Sequence, residues 1–338
     1  HRSAIIVLPH YFPEGSSVAM LRCRSSHLLQ RIWGLTRLAP PARPFFAIFH
    51  PRSSIVLLQM LPSRNIRLKI AYDGTNFCGW QVQKNGPSIQ AALERAIFKL
   101  THEQSAVFSA GRTDSGVHAL GQVANFHTHC AIPAENFRPA LQAFLPYDIV
   151  ILESCEVPLE FHSTFKATHK QYRYLIDNSP VPLPFLRGFT YSMRRELDAA
   201  AMHEAGQLLV GKHDFRSFET DWPNKVTSVR TVHEIKITRQ PLWRLFAATG
   251  TTGNLPHVAP ERHSLERQSG DGEIICMEII ADGFLYNMVR SIMGTLINVG
   301  RQKWMKEDVA KILTAQNRSV AGSTAPACGL YLVEVWYE

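Results

Sequence analysis

Ser109-Ala110-Gly111-Arg112-Thr113-Asp114-Ser115-Gly116-Val117-His118-Ala119 is the stretch on which the reading of this chain turns. It lies between two strand-like runs, Ser105–Phe108 and Gln122–Thr128. Gly111 and Gly116 free the backbone for tight or left-handed turns. Between them a carboxylate, Asp114, follows two residues after a guanidinium, Arg112. A loop held by flanking strands is where a rigid scaffold presents a reactive side chain. Turn preferences alone offer a second reading, in which Asp114 bonds its own backbone and Arg112 is a solvated charge.

Upstream, Arg67–Tyr72 alternates as a half-buried strand and runs into the turn signal Asp73-Gly74. Ser88 reads as the N-cap of a helix whose apolar residues Ile89, Ala92, Leu93, Ala96, Ile97 and Leu100 fall at helical spacing. Downstream, helices are expected at Ala134–Leu145, Glu196–Val210, Phe284–Val299 and Lys306–Gln316. In the third of these, Gly300 serves as C-terminal cap. Strands are expected at Ile149–Glu156, Gln171–Ile176, Ser228–Thr238, Glu273–Ile280 and Tyr331–Tyr337, and Phe215–Phe218 is expected to be extended. In the Gln171 strand, Tyr172, Tyr174 and Ile176 share one face. The strand–helix–strand order recurs twice, which predicts an α+β fold of two halves with largely antiparallel sheets.

Length and charge bound the function. At 338 residues the chain suggests about two domains, with 45% hydrophobic and 19% charged residues. No apolar run approaches the roughly 20 residues that cross a bilayer, so no membrane partner is expected. Residues 1–59 carry seven arginines and one acid, which leaves only about +2 of the net charge of +8 for the remainder. Any nucleic-acid surface must therefore come from local clustering. Six cysteines without a C-x-x-C pair point to reduced thiols and a cytoplasmic location. His127 and His129 share a strand face, but no third ligand stands at a diagnostic spacing and no metal site is expected.

Residues 1–65 read as an N-terminal extension. Three readings fit the Arg-rich, proline-broken stretch to residue 59: a leader, which would redirect the protein to an organelle, a disordered extension, or sequence upstream of the true start. The last is favoured, because Met60 stands just before the first convincing strand. Residues 66–165 then form an N-terminal α/β half carrying the Asp114 loop. Residues 166–338 form a C-terminal α/β half, with an inserted loop at about 240–272 rich in Gly, Pro, Ser and Thr.

GRTDSGVHA at 111–119 resembles the signature of the TruA family of tRNA pseudouridine synthases. The family's opening YDGTNFCGWQ stands at Tyr72–Gln81, with KQYRY at 170–174, GKHDF at 211–215, SVRT at 228–231, FLYNMVR at 284–290 and AGSTAPACGL at 321–330. The resemblance covers essentially 66–338. It implies two ferredoxin-like (RRM-like) halves with joined sheets, a homodimer, and activity without metal or cofactor. The implied reaction isomerises uridine to pseudouridine in the anticodon stem-loop of tRNA, at positions 38, 39 and 40. By motif it makes Asp114 the nucleophile, Arg290 the partner of that aspartate, Tyr172 the contact to the target base, and Arg112 an RNA-contacting arginine that holds the flipped conformation.

The residue types suit that chemistry. A nucleophile must hold the fragments while the base rotates, and an ionised carboxylate can do so, by attack on the sugar or on the ring. Arg290 nearby is expected to keep Asp114 ionised. The uridine must leave its stack first. Further RNA contacts are expected from Phe161-His162-Ser163-Thr164-Phe165, where Thr164 replaces the family's usual arginine, and from Lys225. Two rival readings are a glycoside-processing enzyme, which needs a second matched carboxylate, and a non-catalytic RNA-binding protein on the same scaffold.

Overall fold

A computed structural model describes residues 62–220, 227–241 and 274–338. Lys225, the inserted loop from residue 242 onward and the N-terminal extension up to residue 61 lie outside the described residues.

Among the described residues, ten strands form one sheet. β1 is Arg64–Tyr72, β2 Phe108–Ser109, β3 His118–Thr128, β4 Ile149–Val157 and β5 Ala167–Asp177. β6 is Tyr191–Ser192, β7 Gly211–Asp214, β8 Val229–Gln240, β9 Ile274–Ala281 and β10 Leu330–Tyr337. The order is β4-β1-β3-β10-β5-β9-β8-β7, with β2 added to β3 and β6 to β5. Pairing is antiparallel except between β3 and β10 and between β5 and β6. The C-terminal strand therefore returns to the middle, where it touches β3 at only two registered positions and pairs with β5 along its length. The fold is α+β. The turn from β4 to β5 spans 158–166, across the expected boundary between halves.

Five α-helices among the described residues accompany the sheet. α1, Ile89–Thr101, begins where the Ser88 hydroxyl accepts from the Ala91 amide at 3.3 Å and ends at left-handed His102. α2 is Phe137–Gln142, α3 Ala199–Gln207, α4 Met288–Gly300 and α5 Lys306–Ala315. Alternation along β5 separates two cores. Tyr172, Tyr174 and Ile176 join the large cluster that includes α1, α3 and α4. Leu175 faces the other way, with Ile274, Cys276, Tyr331 and Val333.

Several elements differ from expectation, each for a local reason. β1 starts at Arg64, two residues inside the expected extension, because Arg64 and Asn65 pair with Thr128 and His127. β3 starts at His118 rather than Gln122, so the Asp114 loop ends earlier. The short strand before the loop is only Phe108–Ser109. The helix expected at Ala134–Leu145 is a 3₁₀ turn followed by the six-residue α2, and Pro146 disfavours helical backbone at Leu145. α3 is shorter than expected because Asp198 caps it, accepting from the Ala201 amide at 2.9 Å. Phe215–Phe218 is not extended. Arg216–Phe218 is a 3₁₀ turn, whose three-residue repeat turns Phe215 and Phe218 into the same core.

α4 differs most. It starts at Met288, not Phe284, because Asn287 takes a left-handed conformation (φ 61°). Gly300 is its last helical residue and Arg301 the cap. Nearly all of it is buried, Gly294 included. A Cβ on Gly294 would sit 1.7 Å from the Ser323 carbonyl oxygen, so only glycine lets the 321–325 segment lie against the helix. That contact positions the site.

Candidate active site

The Asp114 loop is held from below by the segment that follows β1. The Trp80 amide donates to the Thr113 carbonyl at 3.0 Å, and the Gly116 amide donates to the Phe77 carbonyl at 3.3 Å. Gly79 (φ +91°) would place a Cβ 2.5 Å from the Thr113 oxygen, and Gly74 one 2.0 Å from the Val117 oxygen. These two close approaches explain why the Tyr72–Gln81 motif accompanies the loop. Gly116 adopts a positive φ, +77°. Gly111 does not: a Cβ built there would lie 3.4 Å from the Lys170 ammonium, an ordinary van der Waals contact. The buried Tyr72 hydroxyl bonds Thr113 Oγ1 at 2.7 Å, and Gln122 Nε2 donates to the Gly111 carbonyl at 2.8 Å.

His118 closes the motif as a structural residue. Its Nδ1 accepts from the Gly74 amide at 3.2 Å, which leaves Nε2 as the donor to the Gly188 carbonyl at 3.0 Å. Asp73 Oδ1 also lies 3.2 Å from Nδ1. Burial nevertheless lowers the pKa of His118, so we read a neutral ring stacked on Tyr331.

Asp114 meets Arg290 across 176 positions of sequence. Arg290 Nη1 lies 3.1 Å from Asp114 Oδ2, and both side chains are about four-fifths shielded. The guanidinium is fixed on its other sides. Nη1 donates to Asn287 Oδ1 at 2.7 Å, and Nε donates to the Ala325 carbonyl at 2.8 Å. Left-handed Asn287 is itself anchored through Nδ2 to Thr220 Oγ1 at 3.1 Å. The closing motif at 321–330 and the motif at 284–290 therefore cooperate in aiming one arginine.

The electrostatics differ from the simple expectation. Burial raises the Asp114 pKa, and the charge and hydrogen bond of Arg290 oppose that shift without cancelling it. Arg290 restrains a carboxylate that the site would otherwise hold protonated more strongly.

Tyr172 stands on β5 near enough to Asp114 to feel its charge, its ring edge-on to Phe284 with centroids 4.9 Å apart. Burial, followed by Tyr72 and Asp114, pushes its phenol far above the ordinary value, so the hydroxyl stays protonated. Among the described residues that hydroxyl has no hydrogen-bond partner. Arg112 is exposed on the loop, two residues from Asp114.

The 161–165 run divides. Ser163 is wholly buried, its hydroxyl donating to the Phe108 carbonyl at 2.6 Å, and its carbonyl accepts from the Tyr337 hydroxyl at 2.9 Å. It ties chain segments together and does not face a ligand. Thr164 Oγ1 donates to the Ser109 carbonyl at 2.5 Å, beneath the loop. His162 lies between the rings of Phe108 and Phe165, and Phe165 is 82% exposed. Phe161 packs against Tyr337. Lys225 is outside the described residues. Sequence reasoning missed Gln122, Asn287, Ala325 and Lys170 as neighbours of the site. Only Lys170 had a legible signal, two residues before Tyr172 on the same strand face.

Fold and site together define an α+β protein that sets one arginine-paired aspartate beside a buried, protonated tyrosine. The family model described as tRNA pseudouridine synthase matches residues 69–166 and 205–338. Among curated relatives, tRNA pseudouridine synthase A of Acetivibrio thermocellus is 45% identical over 274 residues, 81% of this chain and all of that protein. tRNA pseudouridine synthase A 2 of Clostridium tetani is 43% identical over 278 residues, 82% of this chain and all of that protein. The Moorella thermoacetica tRNA pseudouridine synthase A is 40% identical over 280 residues, 80% of this chain and 99% of that protein. The chain belongs to the tRNA pseudouridine synthase family.

Proposed function

We propose that this protein isomerises uridine to pseudouridine in tRNA, within the anticodon stem-loop at positions 38, 39 and 40, with Asp114 as nucleophile. The observation that carries the reading is the Asp114–Arg290 contact at 3.1 Å, made by a loop and a helix that belong to two different family motifs. Arg290 is the charged group that acts on Asp114, and no second carboxylate does so among the described residues. That speaks against glycoside hydrolysis, which uses two matched carboxyl groups.

The chemistry breaks the N1–C1′ bond and forms a C5–C1′ bond. The proton leaves C5, N1 gains one, and no atom is lost overall. Asp114 supplies the covalent tether that keeps base and ribose together while the base turns. Arg290 favours the ionised carboxylate against the opposing effect of burial and holds it in one direction. Tyr172 offers a ring to stack on and a protonated hydroxyl toward the base. Uridine reaches this cleft only when flipped from its stack, and exposed Arg112 replaces its contacts while bonding phosphate. The halves 66–165 and 166–338 supply the two sides of the cleft, and the resemblance adds a homodimer. His162 and Phe165, with Phe108, offer aromatic faces to unpaired bases.

The test takes tRNA transcripts, wild-type protein and Asp114→Ala, and maps pseudouridine by carbodiimide primer extension without added metal. Pseudouridine at 38–40 from the wild type alone is the expected result. Modification at other positions would overturn the assigned substrate site. None from a folded, tRNA-binding wild type would overturn the enzymatic reading in favour of a binding protein.

A further inference from the structure

Lys170 is a charge with no obvious reason to be where it is. It stands on β5, two residues before Tyr172 and on the same face, partly buried against the Asp114 loop, with its ammonium beside Gly111, 3.4 Å from where a Cβ would sit. Among the described residues no carboxylate pairs with it and no hydrogen bond satisfies it. Register brings a second cation to the same place. Ala281 of β9 pairs with Lys170 on one side and with Val232 of β8 on the other. Arg230, two residues before Val232, lies on that same face, next to Gly283, whose Cβ position is 3.3 Å from Arg230 Nε. Arg230 donates to the backbone carbonyls of Thr227 and Val229, and among the described residues it has no acidic partner either.

Folding does not ordinarily bury an unpaired ammonium, because desolvation is costly unless an anion compensates it. Here burial, with a smaller push from Arg230, lowers the Lys170 pKa to about 8. At neutral pH the group is still mostly charged, and it stands beside a like charge. Two like charges held together with no acidic partner among the described residues are suited to receive an anion. We propose that Lys170 and Arg230 form a phosphate site that grips the RNA backbone next to the nucleotide turned into the Asp114 cleft. This rests on the pseudouridine synthase reading, since it assigns the anion to that substrate. The position suits such a grip, because Lys170 borders the Gly111 edge of the loop and Arg230 borders Gly283, which precedes Phe284, the ring that packs against Tyr172. A phosphate there fixes the backbone on one side of the cleft while Tyr172 receives the base.

The experiment compares Lys170→Met with wild type, using a tRNA transcript bearing uridine at 38–40. Both are also placed in the Asp114→Ala background, so that binding is measured on unreacted RNA. The expected result is about tenfold weaker binding, as for a lost charge-assisted contact, and a slope of log affinity against log salt reduced by about one. Single-turnover rate at saturating tRNA stays within about threefold of wild type, as expected for a contact that supplies binding and not chemistry. Unchanged affinity and slope would overturn the proposal. So would a collapsed saturating rate with unchanged affinity, which would place Lys170 at the reacting base. A footprint on wild type avoids any folding defect in the variant: an acylating reagent should label Lys170 in the free protein, and saturating tRNA should block it. Equal labelling with and without tRNA would overturn the proposal. Pseudouridine mapping on the same wild-type sample separates this failure from failure of the parent reading.

Discussion

Two charged places flank Tyr172, and they are built on opposite plans. On one side Asp114 meets Arg290, and the arginine is further held by Asn287 and Ala325. On the other, Lys170 shares its surroundings with Arg230 and no carboxylate among the described residues. The first is electrostatically closed within the protein, and the second is open. A closed pair aims a reactive group before substrate arrives. An open cation gains its partner only on binding, which makes it a device for affinity. On the roles proposed above, one site separates chemistry from grip.

The largest predicted effect tests the closed side. Asp114→Ala should lower the single-turnover rate by about 10⁴-fold or more, as for loss of a covalent nucleophile, while tRNA binding persists. Retention of more than about a hundredth of the rate would remove Asp114 from the nucleophile's role. Next, Gly294→Ala places a methyl group against the Ser323 carbonyl, and overpacking of this kind should cost about 3 kcal/mol or more. Thermal or urea unfolding reads it, and an unchanged midpoint would show that the 321–325 segment gives way easily.

Arg290→Gln should reduce the rate about 10²-fold, on the scale of removing one preorganised group that acts on a developing charge. Its pH profile is the sharper measurement. As the proposed nucleophile, Asp114 must lose its proton to act, and burial already raises its pKa, so the acid limb of the wild-type profile should lie above the ordinary carboxylate range near about 4. Arg290 is what pulls that pKa down, so the variant's limb should move further up. A limb that stays in place would mean that Arg290 aims Asp114 without tuning it.

The smallest effect is on stability. Because the folded pKa of Asp114 is raised, the folded state holds this proton longer than the unfolded chain does. Its contribution to stability is intact below the unfolded value and is lost as pH rises through the folded one. Asp114→Asn should therefore unfold at a higher temperature than wild type at neutral pH, and the gain should shrink toward about pH 4. A gain independent of pH would trace to packing. The open side predicts the same sign by another route, since Lys170→Met removes a desolvated charge and should not destabilise.

How much of this was legible depended on range. The face shared by Tyr172, Tyr174 and Ile176, the start of α1 at Ser88 and the bounds of β4 all follow from spacing or capping within a few residues. Phe215–Phe218 misled because three-residue spacing of two aromatics fits a 3₁₀ turn as well as a short extended run. The start of α4 misled because apolar periodicity runs through Phe284 and Leu285, while left-handed Asn287 interrupts the backbone. Gly111 was read as a source of backbone freedom, yet its φ is not positive, and what it borders is the Lys170 side chain, which arrives from a distant strand.

By itself the sequence determined the α+β class, the position of the Asp114 loop between two strands, and, through ordered motifs, the family. These rest on local periodicity and on residue types whose spacing is read directly from the chain. Only the tertiary structure decided that β10 returns between β3 and β5, that Ala325 and Asn287 clamp Arg290, and that burial outweighs Arg290 on the Asp114 proton. It also decided that Lys170 is left without a counter-charge among the described residues. The physical reason is common to all four. Strand pairing, desolvation and charge compensation depend on which distant segments close over a group, and no local pattern encodes that.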